Sequence, residues 1–251
     1  MSIKIRNAQP IRFAITENWT NGIGTYDLHA ESPDRFVIED LGSEKIARFT
    51  VNAGDQVGTS SGERAEIVLG RWDGSTRFLI TGMEKEIEYY RFGVKLSAPW
   101  LAPTANGGGY QWGICFQAHG PNEFMTSPAI SLHVEDVFKL FVFGGDVDLQ
   151  QGGFVPVKNN AISDAWVDFV IEVKWATDNT GAVALYRKDE SQIDFGLMGS
   201  ISGIPTLQWK GVEKRHPHYW KTGFYRSESN HTNTIHISQI NRTTKRDIAF
   251  S

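Results

Sequence analysis

The chain has 251 residues, 40% of them hydrophobic and 22% charged, and carries a net charge of −4. That length suits one all-β domain with a large core, and the acidic balance excludes a bulk electrostatic match to nucleic acid. One cysteine, Cys115, excludes an intrachain disulfide, and no segment approaches the roughly 18 apolar residues of a membrane-spanning helix.

In chain order, period-two alternation predicts strands at residues 35–38, 45–51, 65–69, 86–96, 110–117, 129–134, 138–143, 166–175, 183–188, 219–226 and 234–241. The clearest is 166–175, where Val167, Phe169, Ile171, Val173 and Trp175 form one apolar face. Turn clusters separate the strands at 52–55, 106–109, 144–146 and 178–181, where Gly, Asn and Asp supply the positive φ of tight turns. A short helix around 132–138 is compatible with the pattern. Many strands without intervening helices imply a single domain over residues 1–251, an all-β sandwich or β-jelly roll. Aromatics at 12%, with eight Trp, fit both a sandwich core and a sugar-stacking surface. Cys115 sits in an apolar run and reads as an inert, buried thiol.

Three segments carry residues suited to chemistry. Arg64 and Glu66 share one strand face, so Arg64 can grip a carboxylate while Glu66 steadies it. Gln117 and His119 also share a face; histidine suits proton transfer near neutrality, and glutamine donates without adding charge. Tyr219, Lys221, Gly223 and Tyr225 line one face of a late strand, a poor design for a core, with the glycine leaving room for a ligand. Residues 209–226 hold five basic side chains (Lys210, Lys214, Arg215, Lys221, Arg226) and one acid, Glu213, with His216 and His218 beside them. Such a stretch in an acidic chain suits a polyanion.

Together these segments resemble the jelly-roll polysaccharide lyases, the heparin lyase I-like and glucuronan lyases with the related alginate lyases. That group carries R-x-E, Q-x-H and Y-x-K-x-G-x-Y strands in this order. Here they read Arg64-Ala-Glu66, Gln117-Ala-His119 and Tyr219-Trp-Lys221-Thr-Gly223-Phe-Tyr225, and the likeness spans roughly residues 35 to 240. The resemblance implies a concanavalin A-like sandwich of two antiparallel sheets that cleaves a uronate polymer by β-elimination. Arg64 and Gln117 would neutralise the uronate carboxylate, Tyr225 would act as acid or base, and His119 would be the base for the opposite ring face. Lys221, Arg226, Glu66, Tyr219 and His218 would bind substrate. The alginate members carry a second Arg soon after the R-x-E glutamate. Here Ile67 and Val68 follow before Arg71, which turns the expectation toward a glucuronan-like polymer.

The resemblance implies no catalytic cofactor and allows a structural Ca2+, with acids offered near Asp146–Asp148 and Asp178. The expected partner is an anionic polysaccharide, not nucleic acid or membrane. The first thirty residues show no basic start followed by an apolar stretch. The expectation is an extracellular protein whose leader lies outside this sequence, or a virion-associated one. A glycoside hydrolase would need two carboxylates flanking one bond, and the E-x-D-x-x-E string of sandwich glucanases does not occur. The alternative is a non-catalytic carbohydrate-binding or structural β-sandwich module.

Overall fold

The computed structural model describes residues 15–20, 27–58, 61–69, 80–81, 85–104, 111–120, 127–149, 152–155, 161, 163–210 and 218–251. Its strands begin with β1 (Ile15–Glu17), β2 (Asp27–Ala30), β3 (Phe36–Asp40), β4 (Lys45–Val51), β5 (Glu63–Val68) and β6 (Ile80–Thr81). There follow β7 (Ile87–Leu96), β8 (Gly113–His119), β9 (Ile130–Val134), β10 (Phe138–Val142), β11 (Gly145–Asp146) and β12 (Gly153–Val155). The last are β13 (Trp166–Lys174), β14 (Ala182–Asp189), β15 (Gly196–Ser202), β16 (Gln208–Trp209), β17 (His218–Arg226), β18 (Asn233–Ile237) and β19 (Ile240–Thr243). One helical turn, α1 (Arg246–Ala249), closes the chain.

Two antiparallel sheets form a jelly-roll sandwich. One runs β15-β14-β13-β7-β18-β4-β3, with β19 beside β7 and β1 beside β19. The other runs β12-β10-β9-β8-β17-β5-β2, with β6 beside β17. Alternation along each strand sends one set of side chains inward. Val167, Phe169, Ile171 and Val173 of the first sheet meet Phe116, Leu132, Trp220 and Phe224 of the second in one buried cluster. Rings lock the layers together: Phe92 lies 4.1 Å from Phe116, and Tyr90 lies 4.3 Å from Trp220, between centroids. Each fully buried large side chain contributes about 1.5–3 kcal/mol.

Two local expectations are corrected. Residues 132–138 are not helical. They join β9 to β10, which pair antiparallel from Phe138 opposite Val134 to Val142 opposite Ile130. The residues sent to the core, Leu132 and Val134 then Phe138 and Leu140, are spaced by two on each strand, a strand period. Segment 234–241 is not one strand; it breaks at Ser238–Gln239 between β18 and β19. Cys115 is buried, its Sγ 3.4 Å from the Leu132 carbonyl oxygen, and burial pushes its thiol pKa up. The cluster at 106–109 lies outside the described residues.

Candidate functional site

The outward face of the second sheet carries the three motifs. Backbone pairing builds a row across six strands: Asp27, Val68, Lys221, Gln117, Ser131 and Phe141. A second row holds Arg64, Tyr225, Ile114, His133 and Lys139. A bulge between Ile114 and Phe116 shifts the alternation, so Ile114 joins this face while Cys115 turns to the core. Above these rows lies a cleft of about 720 Å3, lined by Arg64, Gln117, His119, Lys221 and Tyr225 together with Ser61, Trp112, Ser131, His133, Phe141 and Phe143.

Glu66 is the anchor of the polar end. It is 1% exposed, and its Oε1 accepts from the Gln117 amide nitrogen. A carboxylate only accepts, so this contact fixes which end of the Gln117 amide is nitrogen. Arg64 stands 3.8 Å from Glu66 Oε2, and its guanidinium carbon lies 3.8 Å from the Tyr225 ring centroid. The Arg64 backbone N–H donates to the Asp55 carbonyl, its buried Nε has no partner among the described residues, and its two Nη groups remain as donors toward the cleft. Tyr225 shares a 2.8 Å hydrogen bond with Ser61 and packs edge-on against Trp112, 4.4 Å between centroids. Lys221 is nearly buried, 5.6 Å from the Tyr219 ring centroid. Burial lowers its pKa and Glu66 opposes that shift.

His119 is a titratable group lining the cleft. Burial, then Lys221, pulls its imidazole down to about 4, so the ring is neutral at neutral pH. Its Nδ1 lies 2.9 Å from the Gly120 carbonyl oxygen. A carbonyl only accepts, so Nδ1 holds the proton and Nε2 keeps the lone pair. Tyr219 flanks this ring at 5.6 Å. Burial, then Glu66, raises its phenol pKa, so it stays protonated.

Three expected ligand contacts move. Arg226 and His218 are 0% exposed, because even-numbered positions of β17 face the core with Trp220 and Phe224. Arg226 pairs with Glu63 at 2.8 Å and donates to the His231 carbonyl at 2.6 Å. His218 Nε2 accepts from the Gln208 backbone N–H at 3.1 Å. Glu66, sealed beneath the cleft, holds donors instead of touching a ligand. Gly223 also has a different reason from the one expected. Its φ is +132°, and a Cβ there would overlap the Ala65 carbonyl oxygen and stand 2.6 Å from Glu66 Cα. Close packing of β17 on β5 demands the glycine. Of the basic stretch, Lys210 pairs with exposed Asp148 at 3.6 Å, and Lys214, Arg215 and His216 lie outside the described residues.

The far end of the cleft is not foreseen by the three motifs. Ser131 Oγ lies 3.0 Å from His133 Nε2, and burial, then Lys139, pulls His133 down to about 3. Phe141 lies 4.4 Å from His133 and stacks nearly parallel with Phe143, 5.9 Å away. The Ser131-Leu-His133 alternation repeats the spacing of Gln117-Ala-His119 and is the signal that could have found it. Among the described residues no group of three or more His, Cys, Asp or Glu converges as metal ligands. Asp146 and Asp178 cap their own turns, accepting from the N–H of Asp148 at 3.1 Å and Thr180 at 2.9 Å.

A jelly-roll sandwich with a long polar and aromatic cleft on one sheet is the frame of a carbohydrate-active enzyme. The polysaccharide lyase family model matches residues 16–241, and the chain belongs to that family. Among solved structures it is similar to an endo-β-1,4-glucuronan lyase from the fungus Trichoderma reesei. That match has 12% identity and a TM-score of 0.66, over 95% of this chain and 98% of that one. It is also similar to a PL-14 alginate lyase from Aplysia kurodai, with 10% identity and a TM-score of 0.53, over 93% and 98% of the two chains. At these identities the likeness shows the shared fold. None of the curated proteins matches this chain.

Proposed function

We propose that this lyase cleaves a glucuronan-like, uronate-containing polysaccharide by β-elimination, giving unsaturated oligosaccharides. The observation that carries the reading is His119. It is a neutral imidazole with its proton tied to Gly120 and its lone pair free, on the same cleft as Arg64, Gln117, Lys221 and Tyr225.

Elimination removes the proton at C5, beside the carboxylate, and breaks the C4–O bond. The C5 carbanion is stabilised only if the carboxylate charge is neutralised, and donors fixed in advance do this best. Gln117, held by Glu66, and Arg64, placed over the Tyr225 ring and 3.8 Å from Glu66, are such donors. In glucuronate the C5 proton and the C4 oxygen lie on one ring face, so Tyr225 Oη is placed to take that proton, and His119 Nε2 takes it where the C5 configuration is inverted. The electron pair moves into the C4=C5 bond, and the leaving oxygen receives a proton from Tyr225 Oη. Lys221 adds positive charge near the carboxylate. Phe141 and Phe143 give the neighbouring sugar a face to stack on.

The test is ultraviolet absorbance of the unsaturated product on a panel of uronate polymers. A rise on a glucuronate polymer supports the reading. Reducing ends without that rise would indicate hydrolysis and overturn it.

A further inference from the structure

We propose that the opposite face of the sandwich carries a second sugar site, a small pocket for one neutral pyranose ring built on Gly93, Trp166 and Asp168. The pocket holds about 260 Å3 against about 720 Å3 for the cleft. It opens on the outward face of the first sheet, so the buried core separates the two.

The dent has a clear origin in the chain. Strand β7 pairs with β18 through Val94–Leu96 and with β19 through Tyr89–Arg91. Between these two stretches the partner chain breaks at Ser238–Gln239. The Gly93 N–H therefore bonds to the Ser238 hydroxyl at 2.6 Å instead of to a strand carbonyl. Gly93 itself has no side chain to fill the space. A Cβ there would stand 2.9 Å from Asp168 Oδ1 and 3.2 Å from the Trp166 ring. Glycine inside a strand marks a close approach, and here the Asp168, Ser238 and Trp166 side chains close in over Gly93 at the base of the pocket.

The walls suit a hydroxylated ring. The Trp166 indole offers an apolar face for ring C–H groups. The Asp168 carboxylate can accept from two neighbouring hydroxyls. Its cations, Arg91 and Lys188, stand off at 3.9 and 3.8 Å, beyond hydrogen-bond distance. Asn241 accepts the Thr16 hydroxyl through Oδ1 at 2.6 Å, which leaves its NH2 as a donor. The nearby cation Lys95 is paired with Asp164 at 3.1 Å. Glu44 also lines the pocket, so two acids, Glu44 and Asp168, stand against the cations Arg91 and Lys188; charge is balanced, unlike the cleft, and the pocket selects an uncharged sugar. One small ring matches the volume, which falls just below the roughly 300–1,000 Å3 of pockets for larger ligands. Such a site would tether the enzyme to a polymer while the cleft cuts.

The experiment is saturation-transfer NMR on the full chain with methyl glycosides of glucose, galactose and mannose. At least one glycoside is expected to receive saturation. Asp168→Asn and Trp166→Ala are each expected to weaken it about tenfold, the scale of losing a paired polar contact or a stacking face. Gly93→Ala, whose methyl would press on the Asp168 carboxylate and the Trp166 ring, is expected to do the same. Gln117→Ala, in the cleft, is expected to leave the signal unchanged. No transfer to any glycoside would overturn the proposal. So would a signal lost in Gln117→Ala and kept in the other three variants. Failure here leaves the elimination reading intact, because that rests on the cleft alone.

Discussion

The Arg64 guanidinium carbon lies 3.8 Å from the Tyr225 ring centroid, and the two residues are direct cross-strand partners on β5 and β17. Stacking holds the planar fork flat and leaves its edges for a carboxylate. Arg64→Lys keeps the charge but loses both fork and stacking. It is expected to lower kcat/KM about 10- to 100-fold, the equivalent of one charge-assisted hydrogen bond. Tyr225→Phe keeps the ring beneath Arg64 and removes only the hydroxyl. Turnover is expected to fall about 10²- to 10⁴-fold, with polymer affinity retained in affinity electrophoresis. A Phe variant with the wild-type rate would end the acid role for Tyr225.

Glu66 acts through its neighbours. It is buried, it accepts from Gln117 and it faces Arg64. Glu66→Ala frees both donors to turn and leaves the Gln117 amide without its partner, at a cost of about 1–3 kcal/mol. The expected outcome is a lower kcat with a modest change in KM. Glu66→Gln, which can still accept through its amide oxygen, should recover part of kcat. Equal loss of kcat in both variants, with unchanged melting, would instead make the carboxylate charge itself essential.

The histidines set the pH dependence. Burial is the first cause that lowers His119 to about 4 and His133 to about 3 from the usual 6.5. Protonation therefore favours the unfolded chain. Their stabilising contribution is complete above pH 6.5 and fades as the pH falls through 4 toward 3. For His119 alone it is of the order of 3 kcal/mol. Denaturant midpoints at pH 7 and pH 4.5 should show this loss, and His119→Gln should shrink it. Because kcat/KM reports the free enzyme, its acidic limb should lie near pH 4. A limb near 6.5 would show that the base titrates in an open, solvated setting.

How much of the molecule is legible in the sequence depends on alternation. Segment 166–175 displays its apolar face because every second residue enters the core, and β13 follows it closely. Strand β15 gives no such signal, since it lies at a sheet edge with Leu197 exposed and no residue of it fully buried. The same rule assigns Arg64, Gln117, His119, Lys221 and Tyr225 to the strand faces they occupy. It also puts Arg226 and His218 opposite Tyr225 and Tyr219 in parity. The local basic excess argues for drawing them into the site, although parity alone assigns them to the core side. Ser131 and His133 alternate with Ile130, Leu132 and Val134 on β9, a signal that lies outside the three motifs. Which strands lie side by side, and hence that Glu66 meets Gln117, depends on long-range pairing that alternation does not encode.

Arg226 is the place where parity and charge disagree, and its variants decide between them. Its Nη2 lies 2.8 Å from Glu63 Oε2 and donates to the His231 carbonyl, its Nη1 donates to Asn233 Oδ1, and its buried Nε has no partner among the described residues. Glu63 in turn accepts from the backbone N–H of Gly54 at 2.5 Å and Ser229 at 3.2 Å, so the pair ties two loops, β4–β5 and β17–β18, to β5. Removing the arginine leaves a buried carboxylate without its cation, which costs about 3–5 kcal/mol. Arg226→Ala is therefore expected to lower the melting temperature sharply. Activity per folded molecule, measured well below that temperature, should stay at the wild-type level. Pairing Arg226→Met with Glu63→Gln removes both charges and should restore much of the lost stability, because the penalty comes from the orphaned charge. An Arg226→Ala protein that melts like wild type but no longer holds polymer would return this arginine to the substrate.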